Sequence, residues 1–433
     1  MSETYQSCLA YLYGLQKHGI KLGLDTIRAL LSQCHHPEKT FGVLHIGGTN
    51  GKGSTAAMTA AILRAAKFRV GLYTSPHLID FRERIQVQGE QIAESRVVDL
   101  VERFRTYRVS TSFPTFFEIT TAMAFKHFAD EQVDIAVMEV GMGGRFDATN
   151  VCEPIGTLVT NVSLDHEAYL GDTLGAIAFE KAGIIKKRVP VVLGPMSEEA
   201  STVIRQKARE EQAPVFQYGT DFTFEVQGKG LFGYQGATHK YDGLSCALNG
   251  DHQLINAACA IALVENGIGA SRKVSKEALV EGLGSVTWAG RLETLTTNPF
   301  LVCDGAHNSA GAAVLRQYLK GQIEAVSGRR LIIVLGMMKD KNIAGFLAEL
   351  TPLASIVICT QIDHPRSARA EELKEQLSAS GLSVYAVPVP ADAVTLAQQH
   401  STSRDLICVT GSLFLVGAVK SVFAGSAYAP IVG

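Results

Sequence analysis

The sequence predicts an α/β protein of two domains, each built on a mostly parallel sheet. Three observations carry that expectation. Strand-like apolar runs alternate with helical patterns, the longest runs (such as Val133–Val140) are continuous rather than alternating, and glycine-rich loops follow several of them. A chain of 433 residues also exceeds the size at which one core usually stops growing. The helical pattern breaks around Trp288–Glu293 and a second alternation begins at Phe300, so the domains are expected at 1–290 and 291–433.

Residues 5–31 carry helical apolar spacing, interrupted by a turn at 21–24. Phe41, Val43, Leu44 and Ile46 make a buried strand, and Ala56–Leu63 a helix. Further strands are expected at 69–74, 133–140, 155–162 and 189–193, with helices at 93–108, from Pro114 through Phe128, and around 179–186. Residues 214–245 read as short antiparallel strands, with aromatic residues separated by glycines, and Asp251 as the cap of the alanine-rich helix that follows. In the second domain, strands at 300–303, 331–335, 355–360, 383–388 and 406–410 alternate with helices at 309–321, 342–350, 368–379, 391–400 and 413–424.

Apolar residues at 46% and charged residues at 19% describe a soluble globular chain, and a net charge of −2 gives no electrostatic reason to expect nucleic acid or a membrane. The eight cysteines are scattered without a C-x-x-C, which excludes a zinc ribbon and fits a reducing compartment. The N-terminus lacks a basic and apolar leader, and no apolar run approaches the ~20 residues that span a bilayer. A cytoplasmic location is expected, and nothing demands a second copy, so a monomer is expected too.

The stretch that carries chemistry is Gly47–Thr55, between a strand and a helix. Glycines let backbone N–H groups crowd a phosphate, the helix N-terminus adds partial positive charge, and Lys52 reaches the terminal phosphates. The strict P-loop pattern fails at both ends. Ile46 stands where a glycine belongs, and Gly53 follows Lys52, with the hydroxyls of Ser54 and Thr55 coming later. An ordinary glycine-rich turn is the bland reading; nucleoside triphosphate binding is the stronger one.

Glu139 closes the strand expected beside the P-loop strand, the usual place for a carboxylate that holds Mg²⁺. His166 alone reads as a surface residue, since magnesium prefers oxygen donors. Lys181 fits a solvated helix lysine, a functional cation, or an amine that carries CO₂ as a carbamate; its residue chemistry does not separate these. Asp304–Asn308 follows a strand, with Asn308 or Ser309 suited to cap the next helix, and Arg291 between the domains suits closure over phosphates. Phe116 and Phe117 fit either the core or an aromatic platform.

Taken in order, these motifs resemble the Mur ligase superfamily, and within it the folylpolyglutamate synthase/dihydrofolate synthase family. The resemblance is carried by His45–Thr55, Thr74–Leu78 with Phe81–Arg84, Thr115–Glu118, Glu139–Asn150, Leu164–His166 with Leu170–Gly171, Glu180–Ile184, His252–Gln253 with Asn256, Gly290–Glu293 and Asp304–Asn308. It implies a P-loop NTPase-like Mur ligase central domain and a smaller Rossmann-like C-terminal domain. It implies that Thr49, Asn50, Gly51, Lys52, Gly53, Ser54 and Thr55 hold ATP phosphates, and that Asn256, Arg291, Asp304 and His307 contact nucleotide. Ser75, Glu139 and His166 would bind Mg²⁺, two ions in the family's usual arrangement, with dependence on K⁺ left open. Lys181 would be the carbamylated lysine. Thr115, Phe117, Asp147 and Ala148 match the segment that holds the pterin in bifunctional members. Lys52, Lys181, His166 and Arg291 would serve the reaction: ATP-dependent addition of L-glutamate to dihydropteroate and to reduced folates through an acyl phosphate. The chain departs from the family at Ala289, where proline is common, and at Phe146. The competing readings are a folylpolyglutamate synthase alone, another Mur-type amino-acid ligase, and a nucleotide-regulated binding protein without ligase activity.

Overall fold

The computed structural model describes residues 3–19, 21, 23–107, 113–268 and 274–425. Continuous apolar strands favour a sheet covered on both faces, and the first lobe has one. Its strands are β1 (Gly42–Gly47), β2 (Val70–Tyr73), β3 (Ile85–Val87), β4 (Glu90–Gln91), β5 (Ile135–Glu139), β6 (Gly156–Val159), β7 (Val191–Leu193) and β8 (Val215–Gln217). They lie in the order β4-β3-β2-β5-β1-β6-β7-β8. The pairs that include β3 are antiparallel and the rest are parallel. One face packs on the helices Lys52–Ala65, Asp251–Gly267 and Lys276–Ser285, the other on Glu3–Gly14, Asp25–Gln33, Glu94–Thr106 and Phe116–Asp130.

Register positions the site. Ile46 of β1 lies beside Glu139 of β5, and Gly47 beside Val159 of β6, so the loops after all three strands open at one rim. Ligands of open α/β sheets bind at such a rim, where the strand order reverses.

The segment 214–245 departs from expectation. Val215–Gln217 is not part of an antiparallel unit but extends the main sheet parallel to β7. Only β9 (Thr223–Gly228), β10 (Leu231–Gln235) and β11 (Lys240–Ser245) form a separate antiparallel sheet. Three helices, Glu167–Leu170, Glu198–Glu210 and Lys276–Ser285, were not expected. Of the expected turn at 21–24, Leu22 lies outside the described residues, as does Arg108 at the end of the helix expected at 93–108.

The second lobe contains β12 (Glu293–Thr297), β13 (Phe300–Cys303), β14 (Leu331–Leu335), β15 (Ile356–Cys359), β16 (Ser383–Ala386) and β17 (Leu406–Thr410), ordered β12-β13-β17-β14-β15-β16. Only β12 runs antiparallel to its neighbour. The five expected strands and five expected helices here are all present, with ends shifted by no more than a turn. All eight cysteines are free. No helix among the described residues is long and apolar enough to cross a membrane.

Candidate active site

The loop after β1 has the shape that its glycines permit. Gly48 has φ +134° and a Cβ there would lie 1.9 Å from Thr160 Oγ1; Gly51 has φ +81° and a Cβ there would lie 2.7 Å from Asn256 Oδ1. Neither position tolerates a side chain. The loop is tied down from β6: Thr160 Oγ1 and Asn161 Nδ2 donate to the Asn50 carbonyl at 2.7 and 3.0 Å, and Asn50 N–H donates to Asn161 Oδ1 at 2.9 Å. Lys52 opens the next helix, with its ammonium 3.0 Å from the Thr49 carbonyl. Ser54 and Thr55 are buried, and Thr55 Oγ1 donates to the Gly51 carbonyl at 2.8 Å. Gly53 lies against the Trp288 ring, which a Cβ would approach to 3.0 Å.

Charge converges on Lys52. Burial lowers its pKa, while Glu139 and Asp165 oppose that shift, and Arg291 and Asp147 also act on it. Glu139, buried at the end of β5, accepts from Ser75 N–H at 3.0 Å. Burial raises its pKa, against Lys52, the Ser75 N–H, Arg291 and Arg84. A further cation would therefore be welcome there. His166 caps the short helix Glu167–Leu170 with φ +53°; desolvation and then the Lys341 ammonium bring its pKa down to about 4. It is a neutral imidazole at pH 7, with a lone pair to give. Among the described residues no three His, Cys, Asp or Glu side chains stand together as a ready metal cage. A Ser75 hydroxyl, one carboxylate and one imidazole suit Mg²⁺ only if phosphate oxygens and water complete the shell, which is how that ion is commonly held.

Lys181 lies at the end of the helix Leu174–Ala182, only 3% exposed, and its ammonium donates to the Gly48 carbonyl at 2.9 Å. Burial, and then the charge of Lys52, depress its pKa to about 7. It is not the solvated lysine that its helical setting suggested. Its helix is fixed to the Gly141–Asn150 loop by Arg145, whose Nη2 meets Glu180 Oε1 at 2.6 Å and whose N–H donates to the Glu180 carbonyl at 2.8 Å.

The Thr115–Glu118 and Asp147–Ala148 segments meet at the same rim. Thr115 and Glu118 form a reciprocal cap: Thr115 N–H donates to Glu118 Oε2 at 2.8 Å, and Glu118 N–H to Thr115 Oγ1 at 3.2 Å. The two phenylalanines divide the readings between them. Phe116 is buried in the core, whereas Phe117 is half-buried against Gly141, where a Cβ would lie 2.5 Å from its Cζ. Asp147 is buried, accepting from Met142 N–H at 2.9 Å and Thr149 N–H at 3.0 Å, and Ala148 is buried beside it.

The second lobe supplies the facing wall. Asp304 accepts from Leu292 N–H at 3.0 Å and Ala306 N–H at 2.9 Å, shaping the loop after β13. Arg291 lies along that loop; a Cβ at Gly305 would come within 2.5 Å of its Nη1. Asn308 caps the helix Ser309–Glu324, as expected, and also exchanges amide hydrogen bonds with Asn50 at 3.1 and 3.2 Å. Asn256 donates to Gln253 at 2.9 Å beneath the P-loop.

Sequence reasoning missed one cluster. Asp165 of the first lobe receives Lys341 Nζ at 2.5 Å and Asn308 Nδ2 at 3.1 Å, with His307 Nε2 at 3.5 Å, all from the second lobe. His307 Nδ1–H donates to the Gly305 carbonyl at 2.9 Å, so Nε2 carries a proton toward Asp165 only as imidazolium. The available signal was Asp165 beside His166 in a strand-end loop; Lys341, in Met337–Asn342, gave none.

Known proteins share this two-lobed fold. The Mur ligase middle domain matches residues 46–264, and the Mur ligase glutamate ligase domain matches residues 290–413. A dihydrofolate synthase/folylpolyglutamate synthase from Bacillus subtilis is 35% identical, over 97% of this chain and 99% of its own. This chain belongs to that family of Mur ligases. Among solved structures, Escherichia coli FolC in complex with DHPP and ADP superposes on this Mur ligase with a TM-score of 0.88 at 32% identity, covering 97% of this chain and 98% of that one. A bifunctional folylpolyglutamate synthase/dihydrofolate synthase with Mn, AMPPNP and L-glutamate bound gives 0.86 at 30% identity, covering 97% and 98%. Both comparisons cover the two lobes of the ligase together.

Proposed function

We propose that the rim between the lobes joins L-glutamate to a pteridine carboxylate, with residue roles as follows. The enzyme is an ATP-dependent carboxylate–amine ligase of the dihydrofolate synthase/folylpolyglutamate synthase type, acting on dihydropteroate and on reduced folates. The observation that carries the residue assignment is the convergence of Lys52, Glu139, Asp165, Asp147 and Arg291 in one electrostatic neighbourhood drawn from both lobes.

Forming an amide in water is uphill, so the carboxylate is first converted to an acyl phosphate. The P-loop N–H groups and Lys52 hold the triphosphate, and Arg291 neutralises charge as the outer phosphoryl group moves. Ser75, Glu139 and His166 would hold a divalent cation, Mg²⁺ in the cell, which supplies further charge neutralisation; two ions are expected. Lys181, already half neutral near pH 7, is in the form that takes up CO₂ as a carbamate, which would place an anion beside the metal ligands. Thr115, Phe117, Asp147 and Ala148 hold the pterin so that its distal carboxylate points at the triphosphate. Asn256, Asp304 and His307 shape the nucleotide site. The glutamate amine attacks the acyl phosphate, a tetrahedral intermediate collapses, and phosphate leaves. Lobe contacts such as Asp165–Lys341 keep water from the acyl phosphate. The chain acts as a cytoplasmic monomer, since both walls of the site come from one chain; a molecular mass of twice the chain's in solution would contradict that.

The test is incubation with ATP, Mg²⁺, radiolabelled glutamate and either dihydropteroate or tetrahydrofolate, with and without K⁺. Label enters both products, and Lys52→Ala or Glu139→Ala lowers turnover by about 10³-fold or more. Label entering only the tetrahydrofolate product removes the synthase half of the assignment. Near-normal turnover in either folded variant removes the site.

A further inference from the structure

Asp147 is held by more than its own loop. His45, at the centre of β1, is fully buried, and its Nε2 lies 2.8 Å from Thr149 Oγ1. That hydroxyl lies 2.5 Å from Asp147 Oδ1. On the far side of the ring, Cys152 Sγ lies 3.9 Å from His45 Nδ1. The proton inventory fixes the direction of the chain. A hydroxyl has one proton, and the Asp147 carboxylate accepts it, so Thr149 must accept from His45. His45 therefore carries its proton on Nε2, and its Nδ1 accepts from the Cys152 thiol. Neither the imidazole nor the thiol titrates near neutrality. Burial, with Lys186 nearby, holds the imidazole near 3, and burial pushes the thiol up to about 12. The row is a static set of dipoles, running Cys152 to His45 to Thr149 to Asp147.

We propose that His45 is a positioning residue for the pterin slot, acting through Thr149 on the Asp147 carboxylate. This rests on the reading of Thr115, Phe117, Asp147 and Ala148 as the pterin segment. The physical reason lies at the other carboxylate oxygen. Asp147 Oδ2 accepts from Met142 N–H at 2.9 Å, and stands 3.1 Å from the place a Cβ would take on Gly141. The Gly141 backbone in turn lies under the edge of the Phe117 ring. Rotation of the carboxylate would move that backbone and change the room between Phe117 and the loop. Thr149 Oγ1 opposes rotation at Oδ1, and His45 keeps the hydroxyl proton pointed that way.

The experiment compares full-length His45→Leu, Thr149→Val, the double variant, His45→Gln and Asp147→Asn. KM for dihydropteroate and for tetrahydrofolate is expected to rise about tenfold in His45→Leu and in Thr149→Val, with KM for ATP changed by less than about twofold. The double variant should be no worse than the poorer single, because both remove one chain of contacts. Glutamine, whose amide N–H donates near the place of Nε2, should recover most of the loss. A rise in KM for ATP as large as that for the pteridine, or additive losses in the double variant, would overturn the proposal. If His45→Leu fails to fold, Thr149→Val, nearly isosteric, decides it alone: unchanged KM for the pteridine refutes the relay. Asp147→Asn separates the two levels. An unchanged pteridine KM in that variant refutes the pterin-segment reading, whereas a raised one, with His45 and Thr149 variants silent, refutes only the relay.

Discussion

Replacing Lys181 with methionine is expected to remove activity while relieving a strain that the fold carries at low pH. The drop in its pKa from 10.5 to about 7 amounts to roughly 5 kcal/mol of penalty on the protonated amine. The sign follows from linkage: the unfolded chain binds this proton more tightly, so the native state is penalised fully below pH 7 and recovers as pH rises toward 10.5. Between pH 6 and pH 9.5 the parent chain should therefore gain about 3 kcal/mol relative to Lys181→Met. The lost hydrogen bond to the Gly48 carbonyl costs the variant about 1–3 kcal/mol at every pH, which shifts the offset but not the slope. Urea unfolding in CO₂-free buffer at the two pH values measures it. In parallel, stripping CO₂ should slow the parent enzyme, and bicarbonate should restore it. Parallel pH profiles for the two proteins would refute the buried-amine reasoning, and indifference to CO₂ would refute the carbamate.

Further outcomes follow from the same geometry. Asp165→Asn leaves Lys341 without its carboxylate and should cost about 3 kcal/mol at pH 7, with increased protease cleavage between the lobes. His307, His166 and Lys341 hold the Asp165 pKa below the usual carboxylate range against its burial, so this advantage exists above about pH 4 and fades as pH falls further. Gly48→Ala should abolish ATP binding by calorimetry, because the added Cβ collides with Thr160 at a left-handed φ. Arg145→Met removes the Glu180 pair and the guanidinium that lies 4.2 Å from the Phe146 ring centroid. Unfolding free energy should fall by about 1–2 kcal/mol and turnover should fall with it, read by urea titration and label incorporation.

The fold was legible wherever local pattern and global role agreed. β13, β14 and β17 are continuous apolar runs bounded by turn residues, and their ends fall where the sequence puts them. Val215–Gln217 was misassigned because three residues are too few for periodicity, and its partner β7 is a parallel strand separated by a whole helix. That helix, Glu198–Glu210, is mostly polar or charged, so its apolar face is thin in the sequence. Within the site, Lys52 and Glu139 could be read from strand and loop context. Lys341 could not, because nothing local distinguishes a lysine that meets Asp165 across a lobe boundary from one in water. Lys181 was open for the same reason: the carbonyl it donates to belongs to Gly48, 133 positions away. His45 entered only as the first residue of the His45–Thr55 motif, and its partners lie more than a hundred positions further on.

Asp165 and His166 are joined by a single peptide bond, and His166 N–H donates to Asp165 Oδ1 at 2.9 Å. One of the pair faces three side chains from the opposite lobe, and the other is the imidazole assigned to the metal. On the assignment proposed above, opening the cleft would tug directly on a metal ligand. An enzyme wired this way would find it hard to let spent ADP go while its cation stayed fully gripped, so departure of the two should be linked.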